Sequence, residues 1–259
     1  MQLSFDLFAR QIATVERIIW TLTFAAQLVL LVVLLGRDRA RRYPWFTAGI
    51  AVFALRLMAE VLLSGRMAKL PYTVTILTLA NLITIVGVLV LVEMARAAFA
   101  GVQRSIWMVN TVGLLALAGG LLTIMGPWPV WKLLPWNTLP VKLYLMQLAA
   151  QKGELLVALL TVGLGLLVVI FGRHYKAGWR SHTQSIVIGL FALAVSLLAL
   201  EVVVIRTFHF TQAESAGVMR LRFSFAFAHE MMYLAALVWW IVWLWRDEPG
   251  EANPALAAE

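Results

Sequence analysis

Ionisable side chains stand inside stretches of sequence that are otherwise apolar, and they are the residues with chemistry to offer. Arg56 and Glu60 interrupt one stretch, Glu154 another, and His229 with Glu230 a third. A charge near the centre of a bilayer costs at least ~2.5–3.5 kcal/mol on insertion scales, so each marks a candidate site or a compensated structural feature. Arg56 and Glu60 are four residues apart, which sets guanidinium and carboxylate on one helical face where they pair. Gln147, Gln151 and Glu154 share a stripe by the same kind of spacing. An imidazole at His229 with carboxylates at Glu60 and Glu154 suits an oxygen-preferring metal, a proton relay or an acid–base pair. Each residue also has a structural reading. Arg56 and Glu60 neutralise one another and lock their helix to a neighbour, His229 bonds to an adjacent helix, and Glu201 reaches the interface from a helix end. Asn81 and Asn110 are expected to make interhelical hydrogen bonds.

Several chemistries are excluded by what is missing. His229-Glu230 resembles the start of a zinc-protease motif, but Tyr233 occupies the position of the second histidine. The chain has no cysteine, which removes disulfides, thiolate metal sites and iron–sulfur ligation. His174 and His182 flank a loop and His209 lies beyond an apolar run, so only His229 sits at membrane depth and a bis-histidine haem site is not expected. No nucleophile elbow, P-loop or dinucleotide fingerprint is present.

The elements that must position these residues are apolar runs. About 62% of the chain is apolar and 13% charged, where a soluble domain has roughly half and a quarter. A helix needs about 20 mostly apolar residues to cross the hydrocarbon. Seven runs qualify, near 14–36, 46–64, 72–95, 105–125, 146–171, 184–206 and 222–245. The fold expected is an all-α, seven-helix transmembrane domain over 1–246 with a disordered cytoplasmic tail over 247–259. The first ten residues lack the basic start and small-residue cleavage site of a secretory signal, so the first run is expected to remain.

Arg37, Arg39, Arg41 and Arg42 crowd the first loop and Arg173, Lys176 and Arg180 follow the fifth run. Basic residues in short loops favour the cytoplasm, which sets the N-terminus outside and the C-terminus inside. Trp239, Trp240, Trp243 and Trp245 then mark the inner interface, and the Trp- and Pro-rich segment 127–140 an outer interfacial loop. Gly113, Ala116 and Gly120, and likewise Gly189, Ala192 and Ser196, read as packing seams. By depth, Arg56, Glu60, Glu154, His229 and Glu230 gather in the outer half, where a single pocket would account for all of them. The net charge of +8 is spread over short loops, which points to anionic headgroups and not to nucleic acid.

Seven helices with an outside N-terminus are similar to the microbial rhodopsin layout, but the seventh run, from His229 to Trp245, has no lysine to attach retinal. The small sugar transporters share the topology, yet carry prolines within helices where this chain has none. The turn Arg41-Arg42-Tyr43-Pro44-Trp45-Phe46 and the apolar run Val88 to Val92 before Glu93 resemble an uncharacterised group of short seven-helix proteins of acidobacterial type. That resemblance covers about the first half of the chain and implies no function. The expected role is a sensory or accessory subunit in the bacterial cytoplasmic membrane. It would bind a small molecule or ion in the outer pocket and act through a membrane partner or a second copy. A small-solute transporter or channel is the alternative, and an enzyme using His229 and a carboxylate a third reading; neither cofactor nor metal is identified.

Overall fold

The computed structural model describes residues 2–99, 113–115, 117–122, 138–171, 182–207 and 215–247. All of its elements are helices: α1 (Gln2–Gly36), the one-turn α2 (Arg39–Arg42), α3 (Pro44–Leu63), α4 (Lys69–Ala98), α5 (Leu139–Phe171), α6 (His182–Thr207) and α7 (Ser215–Trp245). Without water to satisfy peptide groups, a spanning segment must make its backbone hydrogen bonds internally, and helices do so. Among the described residues six helices are long and apolar enough to cross a membrane, which makes the chain an integral membrane protein. The fourth sequence run, 105–125, lies largely outside the described residues; 113–115 and 117–122 of it are helical.

The helices extend past the apolar runs because their ends carry residues that tolerate both helix and water. Pro44 opens α3, and Pro71 and Pro140 fall in the first turns of α4 and α5. The first N–H groups of a helix have no intrahelical partner, so proline loses nothing there. Helix α5 therefore begins at Leu139, inside the segment expected to be a loop as far as 140. Residues 127–137 of that segment lie outside the described residues. Between α3 and α4 the chain turns at Gly65, whose φ of 74° is a left-handed conformation that glycine adopts without steric cost.

The six long helices form a closed ring in chain order. Helix α1 packs on α3, α3 on α4, α4 on α5, α5 on α6, α6 on α7, and α7 returns to α1. Lipid tails are as apolar as leucine, so close packing and hydrogen bonds hold such a ring together. A Cβ on Gly189 of α6 would fall on the indole of Trp240 in α7, and one on Gly153 of α5 on Thr84 of α4. Asn81 donates to the carbonyls of Leu77 (2.8 Å) and Met146 (3.0 Å), the second of these across α4 and α5. Asn110 lies outside the described residues. Residues 117–122 lie against α5, where Lys152 Nζ donates to the carbonyl of Leu122 (3.1 Å). Val32, Leu35, Ile85, Val169, Val202 and Val238 face outward, as a lipid-facing belt requires.

The packed core sits at one end, the arginine-rich end that carries the 37–43 turn. Leu30 and Leu34 of α1, Tyr43 and Phe46, Val90 and Met94 of α4, Ile186 and Val187 of α6, and Leu237, Trp240 and Leu244 of α7 are all buried there. Polar contacts close this end further. Glu93 of α4 accepts from the backbone N–H of Phe46 (2.9 Å) and of Trp45 (3.2 Å), capping α3 where its free N–H groups and dipole favour an anion. The Tyr43 hydroxyl bonds Thr183 Oγ1 at 2.9 Å. Trp240 is 1% exposed and donates to the carbonyl of Ser185, which corrects its expected place in the interfacial belt. Trp239 and Trp245 keep exposed faces, and Arg37 lies over the Trp245 ring and pairs with Asp247 at 3.0 Å. Asp247 is the one described residue of the tail; the rest of 247–259 lies outside the described residues.

Candidate functional site

Where the core ends, the ring encloses a cavity of about 600 Å³ lined by all six long helices. Its floor is Trp240, which meets the edge of Phe46 at 5.1 Å between centroids. Tyr233 lies seven residues earlier on the same helix, a rise of ~10 Å at 1.5 Å per residue, and His229 stands a further turn away from the floor. The cavity is thus layered, with an aromatic floor, an amide–phenol level and then an ionisable level.

The ionisable level holds the five residues that the sequence groups in one outer pocket. Arg56, Glu60, Glu154, His229 and Glu230 all line the cavity. Arg56 Nε meets Glu60 Oε1 at 2.9 Å, with side chains about one-third exposed, 36% and 30%. The pair runs along the face of α3 that looks into the ring and spans one turn of its own helix, so it forms part of the pocket wall. Glu154 keeps accessible surface and, among the described residues, has no hydrogen-bond or ion-pair partner; Arg56 and Glu201 are the charges that reach it. Its stripe mates Gln147 and Gln151 are exposed and do not line the cavity, and neither does Glu201.

His229 is anchored by its neighbour α6. Its Nδ1 lies 2.8 Å from Ser196 Oγ, and that hydroxyl donates to the carbonyl of Leu193 at 2.8 Å. With the single hydroxyl proton committed to Leu193, it is Nδ1 that donates to the Ser196 oxygen. Ser196 is accordingly an orienting group for the imidazole. The geometry does not make it a nucleophile activated by a base, since its proton points away from the ring. The Gly189–Ser196 seam therefore serves two ends, close packing at Gly189 and hydrogen bonding at Ser196.

Sequence reasoning missed the amide–phenol level. Gln27 is fully buried at 0% exposure, donates through Nε2 to the Tyr233 hydroxyl at 2.8 Å, and leaves Oε1 without a partner. Turning the amide over exchanges donor for acceptor but still leaves one buried polar atom unsatisfied. Such atoms are rare in native proteins and cost about 1–3 kcal/mol each. A lone glutamine within the first apolar run was the available signal. Thr23 stands one turn before it and also lines the cavity.

Metal binding, one of the chemistries that the sequence left open, finds no matching geometry. Among the described residues no three histidine, aspartate or glutamate side chains converge closely enough to hold a metal ion, although Glu60, Glu154 and His229 share one cavity. Instead, the site offers three carboxylates, one engaged guanidinium and an oriented imidazole among largely apolar walls. Comparison with protein-family models, with curated proteins and with solved structures gives no match.

Proposed function

We propose that this chain is a seven-helix protein of the bacterial cytoplasmic membrane, N-terminus outside, that binds a small molecule or ion in the ring cavity. It acts on a membrane partner or a second copy as a sensory or accessory subunit. The observation that carries this reading is the blind end of the cavity. Ionisable groups from α3, α5 and α7 meet in one space whose floor is the packed pair Phe46 and Trp240, with Met94 and Leu237 buried in the same core. A pocket that ends against a close-packed core suits binding, whereas a transport path needs polar groups on through that core. The enzyme reading loses support because the serine beside His229 commits its proton to a backbone carbonyl.

The absence of cysteine makes the unaltered chain a ready background for thiol labelling. Ala80→Cys on the cavity wall and Leu91→Cys near its floor are exposed in vesicles to a membrane-impermeant methanethiosulfonate, added from each side in turn. The expected result is labelling of position 80 from the outer face alone and protection of position 91 from both. Labelling of either position from the cytoplasmic face would replace the binding role with a conduit.

A further inference from the structure

The polar groups of the cavity occur at two levels separated by about one helical turn, and their chemistry differs. At the upper level Glu60 holds the Arg56 guanidinium at 2.9 Å, which leaves Glu154 as the carboxylate on which the charge of the cavity turns. Glu154 has no hydrogen-bond or ion-pair partner among the described residues, and the negative charge of Glu201 on α6, which also reaches it, is offset by the Lys152 ammonium. An anion entering here would meet repulsion. A cation would complete the charge balance in a space where lining groups are mostly apolar and screening is weak. At the lower level the fully buried Gln27, one of the residues that line the cavity, bonds the Tyr233 hydroxyl and keeps one polar atom without a partner.

The apolar walls of the cavity argue against a bare metal ion. Trp20, Phe53, Ile83 and Leu197 present rings and branched aliphatic chains, and no set of three metal-ligating side chains converges among the described residues. A volume of about 600 Å³ is that of a site for a small organic molecule. We propose that the cavity takes an amphipathic organic cation, its ammonium at Glu154, its apolar body against these walls and a hydrogen-bonding group at Gln27. This rests on the reading of the cavity as a binding site. Recognition is two-point: the charge selects for amines at the upper level, and the buried amide selects for a polar group at the far end of the body.

The test uses three probes that share one body and differ in head charge: 4-(4-aminobutyl)phenol, 4-(4-hydroxybutyl)phenol and 4-(4-hydroxyphenyl)butanoate. Each is titrated as a protectant against methanethiosulfonate labelling of Ala80→Cys in nanodiscs, corrected for its partition into lipid. The amine is expected to protect at ~10-fold lower concentration than the alcohol, the loss of one charge-assisted hydrogen bond, and the acid least of all. Adding Glu154→Gln should erase the difference between amine and alcohol, while Gln27→Met should weaken both alike. Equal protection by amine and alcohol, better protection by the acid, or no protection while position 80 still labels would overturn the cation and leave the cavity standing. Failure of position 80 to label would remove the cavity and the cation together. The comparison of probes in the Ala80→Cys chain decides the charge preference even if a second substitution impairs folding.

Discussion

Gln27 and Tyr233 allow a prediction in which two neighbouring substitutions move stability in opposite directions. In the native chain the Gln27 amide makes one hydrogen bond, to the Tyr233 hydroxyl at 2.8 Å, and carries one buried polar atom with no partner. A buried hydrogen bond contributes about 0.5–1.5 kcal/mol net and an unsatisfied polar atom costs about 1–3 kcal/mol. Gln27→Met, similar in volume, removes both at once. Tyr233 lines the cavity, so its hydroxyl retains a way to be solvated. The sum runs from destabilising by about 0.5 kcal/mol to stabilising by about 2.5 kcal/mol. Tyr233→Phe removes only the acceptor and leaves the whole amide of Gln27 unsatisfied, destabilising by about 1–3 kcal/mol. At roughly 2–4 °C per kcal/mol for a chain near this size, thermal unfolding in detergent should put the Gln27→Met midpoint close to or a few degrees above that of the unaltered chain. Tyr233→Phe should fall several degrees below it. The double substitution should recover most of that fall, because once the amide is gone nothing is left unsatisfied; the coupling appears as a non-additive cycle. A fall of more than about 2 kcal/mol equivalent for Gln27→Met would mean that the amide is fully satisfied in the folded chain. The orphan atom, and with it the second contact proposed for the ligand, would then be lost.

The remaining expectations are simpler. Gly189→Leu should destabilise the ring by about 1–3 kcal/mol, since any Cβ there meets the Trp240 indole; an unchanged unfolding midpoint would show that α6 and α7 part easily. Arg56→Ala should lower the midpoint by about 1–2 kcal/mol equivalent, between the values for exposed and buried pairs because both side chains are about one-third exposed. Glu154→Gln, with no partner to lose, should leave it unchanged, and equal effects of the two would contradict the pairing. Removing the α3 cap by Glu93→Ala should cost about 0.5–2 kcal/mol, with Glu93→Gln recovering part, read from the same melts. Reporter fusions after Arg42 and after Arg180 should both report cytoplasm and one within 127–140 the outside, whereas opposite labels at 42 and 180 would mean that an odd number of crossings lies between them.

The chain's own order of residues determined the helices and the pairings that lie along them. Hydrophobic runs set where each helix crosses, because the length of the hydrocarbon layer demands it. The four-residue spacing of Arg56 and Glu60 sets guanidinium beside carboxylate whatever the neighbours do. Asn81 had to find a carbonyl because an amide does not stay unpaired in lipid, and it found Met146. What remained hidden was the rotation of each helix about its axis. A soluble helix reveals its buried side by an apolar stripe, but these helices are apolar nearly all round, so periodicity does not tell the ring interior from the lipid. That rotation sends Trp240 inward as a floor while Trp239, one residue away, keeps an exposed face. It also turns Glu93 onto the α3 N-terminus, Ser196 onto His229, and Gln27 onto Tyr233. Depth along the membrane could be counted from the sequence, and it grouped the five ionisable residues. Only the closing of α7 onto α1 made a cavity for them to share, and only tertiary packing left its lower end sealed and one buried amide there incompletely bonded.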